Sequence, residues 1–184
     1  MTARAVLTYA DYAALPDDGR RYELIDGELI EMTAPSLWHQ IVLANLVYAL
    51  DAYVRERSLG IVLFAPLDVI FADTSVTEPD LIYIAPNRTD RMAPRGIEGA
   101  PTLLVEVLSP SNRGHDRVVK FGLYARYGVP FYWIVDPEGR ELHAYRLEEG
   151  AYVLAMRATG TAPCSPPPFD DLALVVDDLW KGID

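Results

Sequence analysis

The chain has 184 residues, of which 51% are apolar and 23% charged, and its formal net charge is −11. This length supports one well-formed hydrophobic core, so we expect a single domain over residues 1–184. No apolar run approaches the roughly 20 residues of a membrane-spanning helix, and no long apolar signal region opens the chain, so we expect a soluble, cytoplasmic protein. Its one cysteine, Cys164, excludes an internal disulfide and a zinc site built from several cysteines.

The N-terminal third predicts a short helix, a hairpin and a long helix. Thr8 is a suitable N-cap, and Pro16 stops the helix that it begins. Asp26-Gly27 is a strong two-residue hairpin signal. Ser36 can cap the next helix, whose apolar side chains recur at helical spacing. The predicted elements are a helix from Thr8 to Leu15, strands Arg21–Ile25 and Glu28–Met32, and a helix from Ser36 to about Arg57.

The centre of the chain alternates strands with a second helix. Val, Ile, Leu and Phe dominate its strand segments, and Pro, Gly, Asp and Asn separate them. A helical stretch follows Ser109-Pro110-Ser111-Asn112, runs to about Tyr127 and is closed by Gly128. The order of elements predicts an α/β fold. The predicted strands are Ile61–Phe71, Pro79–Ile84, Thr102–Leu108, FYWIVD, ELHAYRL, AYVLAM and a strand-like LALVV near the end.

Two carboxylates lie in predicted strands, where burial without a partner is costly. They are Asp80 in TEPDLIYI and Glu106 in TLLVEVLSPS. Neighbouring strands are ~4.8 Å apart, so side chains on one face of both strands can share a cation. Lys120 follows on the next predicted helix. Carboxylates with a nearby ammonium predict a Mg²⁺ site, in which Mn²⁺ can substitute, for phosphodiester hydrolysis.

The ordered set of motifs resembles the PD-(D/E)XK nuclease superfamily and, within it, the Uma-type restriction endonuclease family. The resemblance covers roughly Thr8 to Val176. It implies a restriction-endonuclease-like core, in which helices flank a central mixed β-sheet, with an added N-terminal hairpin and added C-terminal strands. The motifs are RYELIDGELIEM with Ser36 and His39, Pro79-Asp80, LLVEVLSPSN, Asp116 and Lys120 with Tyr124, and GVPFYWIVDP.

The resemblance implies a role for each residue of the core site. Asp80 and Glu106 would be catalytic metal ligands, and the backbone carbonyl of Val107 would be a third ligand. Leu108 stands where the superfamily usually has a lysine, two residues after the glutamate. The resemblance implies that Lys120, from the following helix, supplies this ammonium and orients or deprotonates the attacking water.

Four further polar residues have two interpretations each. Asp116 lies four residues before Lys120 and could hold its ammonium, or the two could form an ordinary exposed pair. Glu23 could complete the metal shell or face solvent. His39 could contact phosphate or metal, or could be a hydrogen-bonded histidine at the core boundary. Ser109 could bind phosphate or cap the helix.

These observations predict a magnesium-dependent endodeoxyribonuclease that acts on double-stranded DNA, with a homodimer preferred because two strands must be cut. Its acidic charge requires a local basic rim, in which Arg113 and Arg117 would contact the nucleic acid. Two alternatives stay open: an inactive nuclease-fold module that binds nucleic acid or another partner, and a phosphodiesterase for a smaller substrate. The arginines available for the rim are Arg88, Arg91, Arg95, Arg113, Arg117 and Arg126.

Overall fold

The computed structural model describes residues 5–109 and 114–183. Its helices are α1 Tyr9–Ala13, α2 Leu37–Glu56 and α3 Phe121–Arg126, with 3₁₀ turns at Pro86–Arg91 and Val176–Trp180 and a π-helix at His115–Lys120. Its strands are β1 Arg21–Ile25, β2 Glu28–Met32, β3 Ile61–Phe64, β4 Val69–Ala72, β5 Ser75–Thr77, β6 Leu81–Ile84, β7 Met92–Ala93, β8 Gly96–Glu98, β9 Leu103–Val107, β10 Phe131–Asp136, β11 Glu141–Glu148, β12 Ala151–Thr159, β13 Pro163–Cys164 and β14 Leu174–Val175.

The central sheet has six strands in the order β12-β11-β10-β9-β6-β3. It is mixed, because β9 and β10 run parallel whereas the other neighbours are antiparallel. Strands β6 and β9 are buried along their whole length and, apart from Glu106, consist of apolar and aromatic residues, as is typical of strands covered on both faces. Leu46 and Leu50 of α2 belong to the core on one face, and Leu123 of α3 belongs to the core on the other. The structure therefore confirms the predicted central mixed sheet flanked by helices.

The N-terminal hairpin belongs to a second six-stranded sheet, in the order β2-β1-β5-β4-β8-β7. The predicted strand Ile61–Phe71 was wrong as a single element. Its first part is β3 in the central sheet, whereas its second part is β4 in the second sheet. Pro66 lies between them, and proline has no N–H for a sheet ladder, so the strand ends there. Strand β5, a short polar strand that pairs with β1, was not predicted from the sequence.

The predicted caps and hairpin are confirmed. Thr8 and Asp11 form a capping box, and the Ser36 hydroxyl accepts a hydrogen bond from the His39 amide. Strands β1 and β2 pair from Arg21↔Met32 to Ile25↔Glu28. Within the described ranges, no helix is long and apolar enough to cross a membrane.

The predicted helix before Gly128 has two parts, a π-helical turn followed by α3. The start of this helix, assigned just after Asn112, falls on Arg113, which lies outside the described part of the chain. Single π-helical turns within helices are frequent at functional sites. This one carries both Asp116 and Lys120.

Candidate active site

Asp80 and Glu106 meet at the same end of two neighbouring strands. The antiparallel pairing Leu81↔Val105 places Asp80, one residue earlier, opposite Glu106. The Val107 amide donates to Asp80 Oδ2 over 2.7 Å, which ties the two strands together at this point. Asp80 precedes β6 rather than lying within it, so its burial was overestimated: its side chain is 15% exposed, against 3% for Glu106.

His39 contacts Asp80 from the first turn of α2. Its Nε2 atom lies 3.0 Å from Asp80 Oδ2, and its other ring nitrogen is buried without a hydrogen-bond partner among the described residues. The hydrogen bond between its amide and the Ser36 hydroxyl fixes this turn. His39 is therefore a hydrogen-bonded histidine at the core boundary that orients a site carboxylate, whereas its contact with phosphate or metal stays a prediction.

Lys120 lies at the centre of a buried cluster of carboxylates. Its Nζ atom is 2.9 Å from Glu23 Oε1, 3.0 Å from Glu106 Oε1 and 3.7 Å from Asp116 Oδ1. The lysine is only 1% exposed. Burial lowers the pKa of Lys120, but the carboxylates of Glu106, Glu23 and Asp116 outweigh burial and hold its pKa well above the usual value. Lys120 is therefore positively charged near neutral pH.

The interpretation of Asp116 and Lys120 as an ordinary exposed pair is wrong. Their side chains are 4% and 2% exposed. Both face the interior because they lie on the side of the π-helix that packs against the central sheet. The sequence showed their spacing but not this orientation.

Glu23 is fully buried, so its interpretation as a solvent-facing strand residue is wrong. Its Oε1 atom also accepts a hydrogen bond from the Glu78 amide over 2.9 Å, and its Oε2 atom lies 3.3 Å from His115 Nε2. Burial raises the pKa of Glu23, but the charge of Lys120 and the hydrogen bonds from His115, Lys120 and the Glu78 amide lower it to about 2. Glu23 is thus an ionised counterion of Lys120.

The pKa of Glu106 is raised, whereas that of Glu23 is lowered. The Tyr124 hydroxyl donates to its Oε1 atom over 2.8 Å, and Lys120 donates to the same oxygen. Burial raises the pKa of Glu106 well above its usual value, Lys120 opposes this, and the nearby charges of Asp116 and Asp80 add to it. Burial, again opposed by Lys120, raises the pKa of Asp116 to about 6. Without a further cation, the site holds more carboxylates than it can keep ionised.

A cavity of about 30 Å³ opens among these groups, large enough for a water or a small cation. Asp116 Oδ1, a buried atom, has no hydrogen-bond partner within the described residues, although Lys120 is near. In their present conformations, no three His, Cys, Asp or Glu side chains of the described residues are arranged to coordinate a metal ion together. The oxygen donors, the surplus negative charge and the orphaned oxygen nevertheless fit a hard divalent cation. The site residues that line the cavity are His39, Asp80, Glu106, Val107, Ser109, Asp116 and Lys120.

Four of the arginines expected to form a basic rim have other partners. Arg95 pairs with Glu98, Arg126 with Asp26 and Arg117 with Asp136, and Arg88 donates to the Ala100 carbonyl. None of those that the structure describes lines the cavity. Arg113 lies outside the described residues. The predicted rim is therefore not found where it was expected.

Arg21 does line the cavity, although it was not predicted as a site residue. Its Nη2 atom lies 2.6 Å from Glu78 Oε2. A signal was present in the sequence, because Arg21 and Glu23 are two residues apart on β1 and thus share one face of the strand. His115, the partner of Glu23, gave no such signal.

A mixed sheet with carboxylates at adjoining strand ends and a lysine from the following helix defines the nuclease-like class that the motifs predicted. The chain belongs to the Uma2 family, which is described as "Putative restriction endonuclease". The model of this family matches residues 9–177 of the chain. It is 32% identical over 124 residues to an uncharacterized protein of Synechocystis sp., covering 65% of this chain and 68% of that protein. Its fold is similar to the crystal structure of "a putative nuclease belonging to DUF820" from Anabaena variabilis, with a TM-score of 0.77, 21% identity and coverage of 95% of this chain and 97% of that one.

Proposed function

We propose that this protein is a divalent-metal-dependent endonuclease that hydrolyses phosphodiester bonds of DNA. One observation carries the proposal: Asp80, Glu106 and Lys120 line a single cavity although they come from three separate segments of the chain. Family membership supports nuclease chemistry. Perturbed ionisable groups that converge in a cavity are typical of catalytic sites, because burying them carries a cost in stability.

The ligands we propose for Mg²⁺, or for Mn²⁺ in its place, are Asp80, Glu106 and the backbone carbonyl of Val107. A divalent cation bound there would polarise a phosphoryl oxygen and acidify a bound water. His39 and the Val107 amide both bind Asp80 Oδ2, so they fix the orientation of this carboxylate before any ligand arrives. Tyr124 does the same for Glu106.

Lys120 acts as a fixed positive charge in this proposal. Its raised pKa makes it a poor proton acceptor near neutral pH, so it orients the attacking water and the phosphate by donating hydrogen bonds. Glu23 holds the ammonium in place from the second sheet. Asp116, whose pKa of about 6 suits proton exchange near neutral pH, faces the same cavity.

Plasmid cleavage with Mg²⁺ or Mn²⁺ tests the proposal, with Asp80→Asn as the decisive variant. This change keeps the shape of the side chain and removes its charge, so we expect loss of cleavage with the fold intact. Asp51→Asn is the matched control, because Asp51 lies on the surface of α2 and pairs with Arg55. Equal cleavage by the wild type and Asp80→Asn would contradict the proposal.

A phosphodiesterase for a smaller substrate is the second candidate. It is favoured by the arginine pairs described above, which leave little basic surface for a polyanion. Turnover of bis(p-nitrophenyl) phosphate without cleavage of plasmid or of single-stranded DNA would select this candidate. Binding of DNA without turnover of any phosphodiester would select the inactive module.

We further propose that the substrate is duplex DNA and that the protein acts on it as a homodimer. Two strands of opposite polarity are cut most simply by two copies related by a two-fold axis. Sedimentation analysis with and without a DNA duplex tests this part separately. A monomer that makes only single-strand nicks would remove the dimer from the proposal and leave the chemistry in place.

A further inference from the structure

A wider groove adjoins the active-site cavity at the N-terminal hairpin. The cavity, at about 30 Å³, holds a water or a small cation, so the rest of a substrate must lie in adjoining space. The groove has a volume of about 490 Å³, within the range of small-ligand sites. Four residues line both spaces, so a substrate bound at the cavity can extend into the groove. The shared residues are Arg21, Met32, Thr33 and Pro35.

Arg21 lies at the junction of the cavity and the groove. Met32 is its direct partner in the pairing of β1 with β2, and directly paired residues project their side chains to the same face. Glu23, two residues further along β1, shares that face and contacts Lys120. Arg21 is therefore on the side of the hairpin that faces the buried lysine.

Glu78 holds the guanidinium of Arg21 in a fixed orientation. The Nε and Nη2 atoms of Arg21 lie 2.7 and 2.6 Å from one oxygen, Glu78 Oε2. Its Nη1 atom makes no hydrogen bond within the described part of the chain, and the side chain is 36% exposed. Glu78 is two residues before Asp80, and its amide donates to Glu23. The support of Arg21 thus belongs to the same site, and its remaining donors are accessible to a ligand.

The groove offers directed N–H donors rather than net positive charge. Its Glu31 lies 3.5 Å from Arg20 Nη1, and Glu78 is bound by Arg21. Hydrogen bonds from a guanidinium to an anionic oxygen are charge-assisted and roughly twice as strong as those between neutral groups. The planar guanidinium also matches the geometry of phosphate oxygens. A phosphate is therefore the ligand that the accessible edge of Arg21 suits.

We propose that Arg21 binds a second phosphate of the substrate, in the groove beside the cavity that receives the scissile phosphate. This assignment rests on the proposed function and adds that the substrate carries another phosphate next to the bond that is cut. The second phosphate has two possible sources, the neighbouring linkage of a nucleic-acid strand or the terminal phosphate of a nucleotide. Both present the same oxygens to the guanidinium.

Anisotropy of a labelled single-stranded DNA oligonucleotide tests the contact by its salt dependence. Ca²⁺ replaces Mg²⁺ so that the strand stays intact. Arg21→Gln should weaken binding on the order of tenfold, the effect of losing one charged hydrogen bond. It should also reduce the slope of log affinity against log salt by about 0.7, the value of one phosphate contact on a single strand. A residue with a merely structural role would not change that slope.

Two further variants separate loss of the contact from damage to the fold. Arg21→Lys keeps a cation beside Glu78 and should keep the salt slope of the wild type, with an intermediate affinity. Arg157→Gln is the matched control, because Arg157 is also exposed and also pairs with a carboxylate, 2.5 Å away on Glu141. It lines neither the cavity nor the groove. We expect this control to bind like the wild type.

Kinetics locate the phosphate that Arg21 contacts. Bis(p-nitrophenyl) phosphate has one phosphate, whereas a thymidine dinucleotide with a terminal phosphate has two. With Mg²⁺ or Mn²⁺, Arg21→Gln should lower kcat/KM on the order of tenfold where a second phosphate is present, and much less for bis(p-nitrophenyl) phosphate. A loss for oligonucleotides alone assigns a neighbouring linkage, and a loss for the dinucleotide as well shows that a terminal phosphate suffices. Equal losses for all substrates would overturn the second-phosphate site.

Failure of this assignment and failure of the proposed function give different results. Unchanged affinity and salt slope in Arg21→Gln, with plasmid cleavage intact, overturn the second-phosphate site and leave the nuclease. A wild type that turns over no phosphodiester removes the nuclease, and oligonucleotide binding then decides. Weaker binding with a lower salt slope in Arg21→Gln keeps the phosphate site, whereas absence of binding removes it as well.

Discussion

Two groups of ion pairs in this protein have similar distances and very different surroundings. In the buried cluster, Lys120 lies 2.9 Å from Glu23 and 3.0 Å from Glu106, and all three side chains are at most 3% exposed. On the surface of α2, Arg55 lies 2.6 Å from Asp51, with its side chain 74% exposed. The Arg55–Asp51 pair has the shorter distance but is the weaker interaction. Both of its charges stay hydrated, and water screens the attraction between them.

The comparison shows that burial, not distance, identifies the pairs with a special role. Taking charges out of water costs several kcal/mol per ion, which their mutual attraction only partly offsets. The proposed site, which needs a fixed ammonium beside several carboxylates, would justify this cost.

Lys120→Met should destabilise the protein most. The apolar side chain has a similar volume but leaves Glu23 and Glu106 buried without their cation, which typically costs about 3–5 kcal/mol. Urea unfolding at pH 7 measures this loss, and plasmid cleavage should disappear with it. Lys181→Met is the control, because the other lysine of the chain forms an exposed pair with Asp178. If both variants lost the same small amount of stability, the distinction between the two groups would fail.

Glu23→Gln should remove stability within a defined pH range. The folded pKa of Glu23 is about 2, below its ordinary value of 4.5, so its ionised form stabilises the fold above pH 4.5. This contribution, roughly 3 kcal/mol, is lost as the pH falls from 4.5 towards 2. The glutamine variant should therefore be less stable than the wild type at pH 7 and show a shallower loss on acidification. Unfolding curves measured from pH 7 to pH 3 that run parallel for the two proteins would contradict the assignment.

Millimolar Mg²⁺ or Mn²⁺ should stabilise the wild type by about 1–3 kcal/mol, because the cation binds the folded site. Protons compete with the cation, since the pKa values of Glu106 and Asp116 are raised, so binding should be stronger at pH 8 than at pH 6 and should release protons. Differential scanning calorimetry and titration calorimetry in buffers of different ionisation enthalpy measure both effects. Asp80→Asn should abolish the stabilisation, and equal stabilisation of the variant would place the cation elsewhere.

Arg55→Ala should have the smallest effect, below about 0.5 kcal/mol, because its pair with Asp51 is an exposed i,i+4 contact. The small difference should shrink further in 1 M salt, where surface charges are screened. Thermal unfolding at low and high salt measures it. A loss as large as that of Lys120→Met would show that burial is a poor guide to the strength of pairs in this fold.

Local signals in the sequence were sufficient for most elements of the fold. The cap at Thr8, the hairpin at Asp26-Gly27 and the cap at Ser36 depend on neighbouring residues, and the structure has all three. The division of Ile61–Phe71 between two sheets was not predicted. Both parts have strand composition, and only their distant pairing partners decide which sheet each part joins.

The residues of the candidate site also fall into two groups, those that the sequence predicted and those that only the tertiary structure placed there. Asp80, Glu106 and Lys120 could be selected from the sequence, because charged residues in strongly patterned segments are conspicuous and their order resembles that of a known family. Glu23 had two interpretations, and Arg21 and His115 were missed. Their positions depend on how the second sheet packs against the central one, and that packing is set by contacts between residues far apart in the chain. The sequence by itself thus determined which charges could serve in catalysis, and the tertiary structure decided which of them are buried together, because burial is a property of the assembled core and not of any short segment.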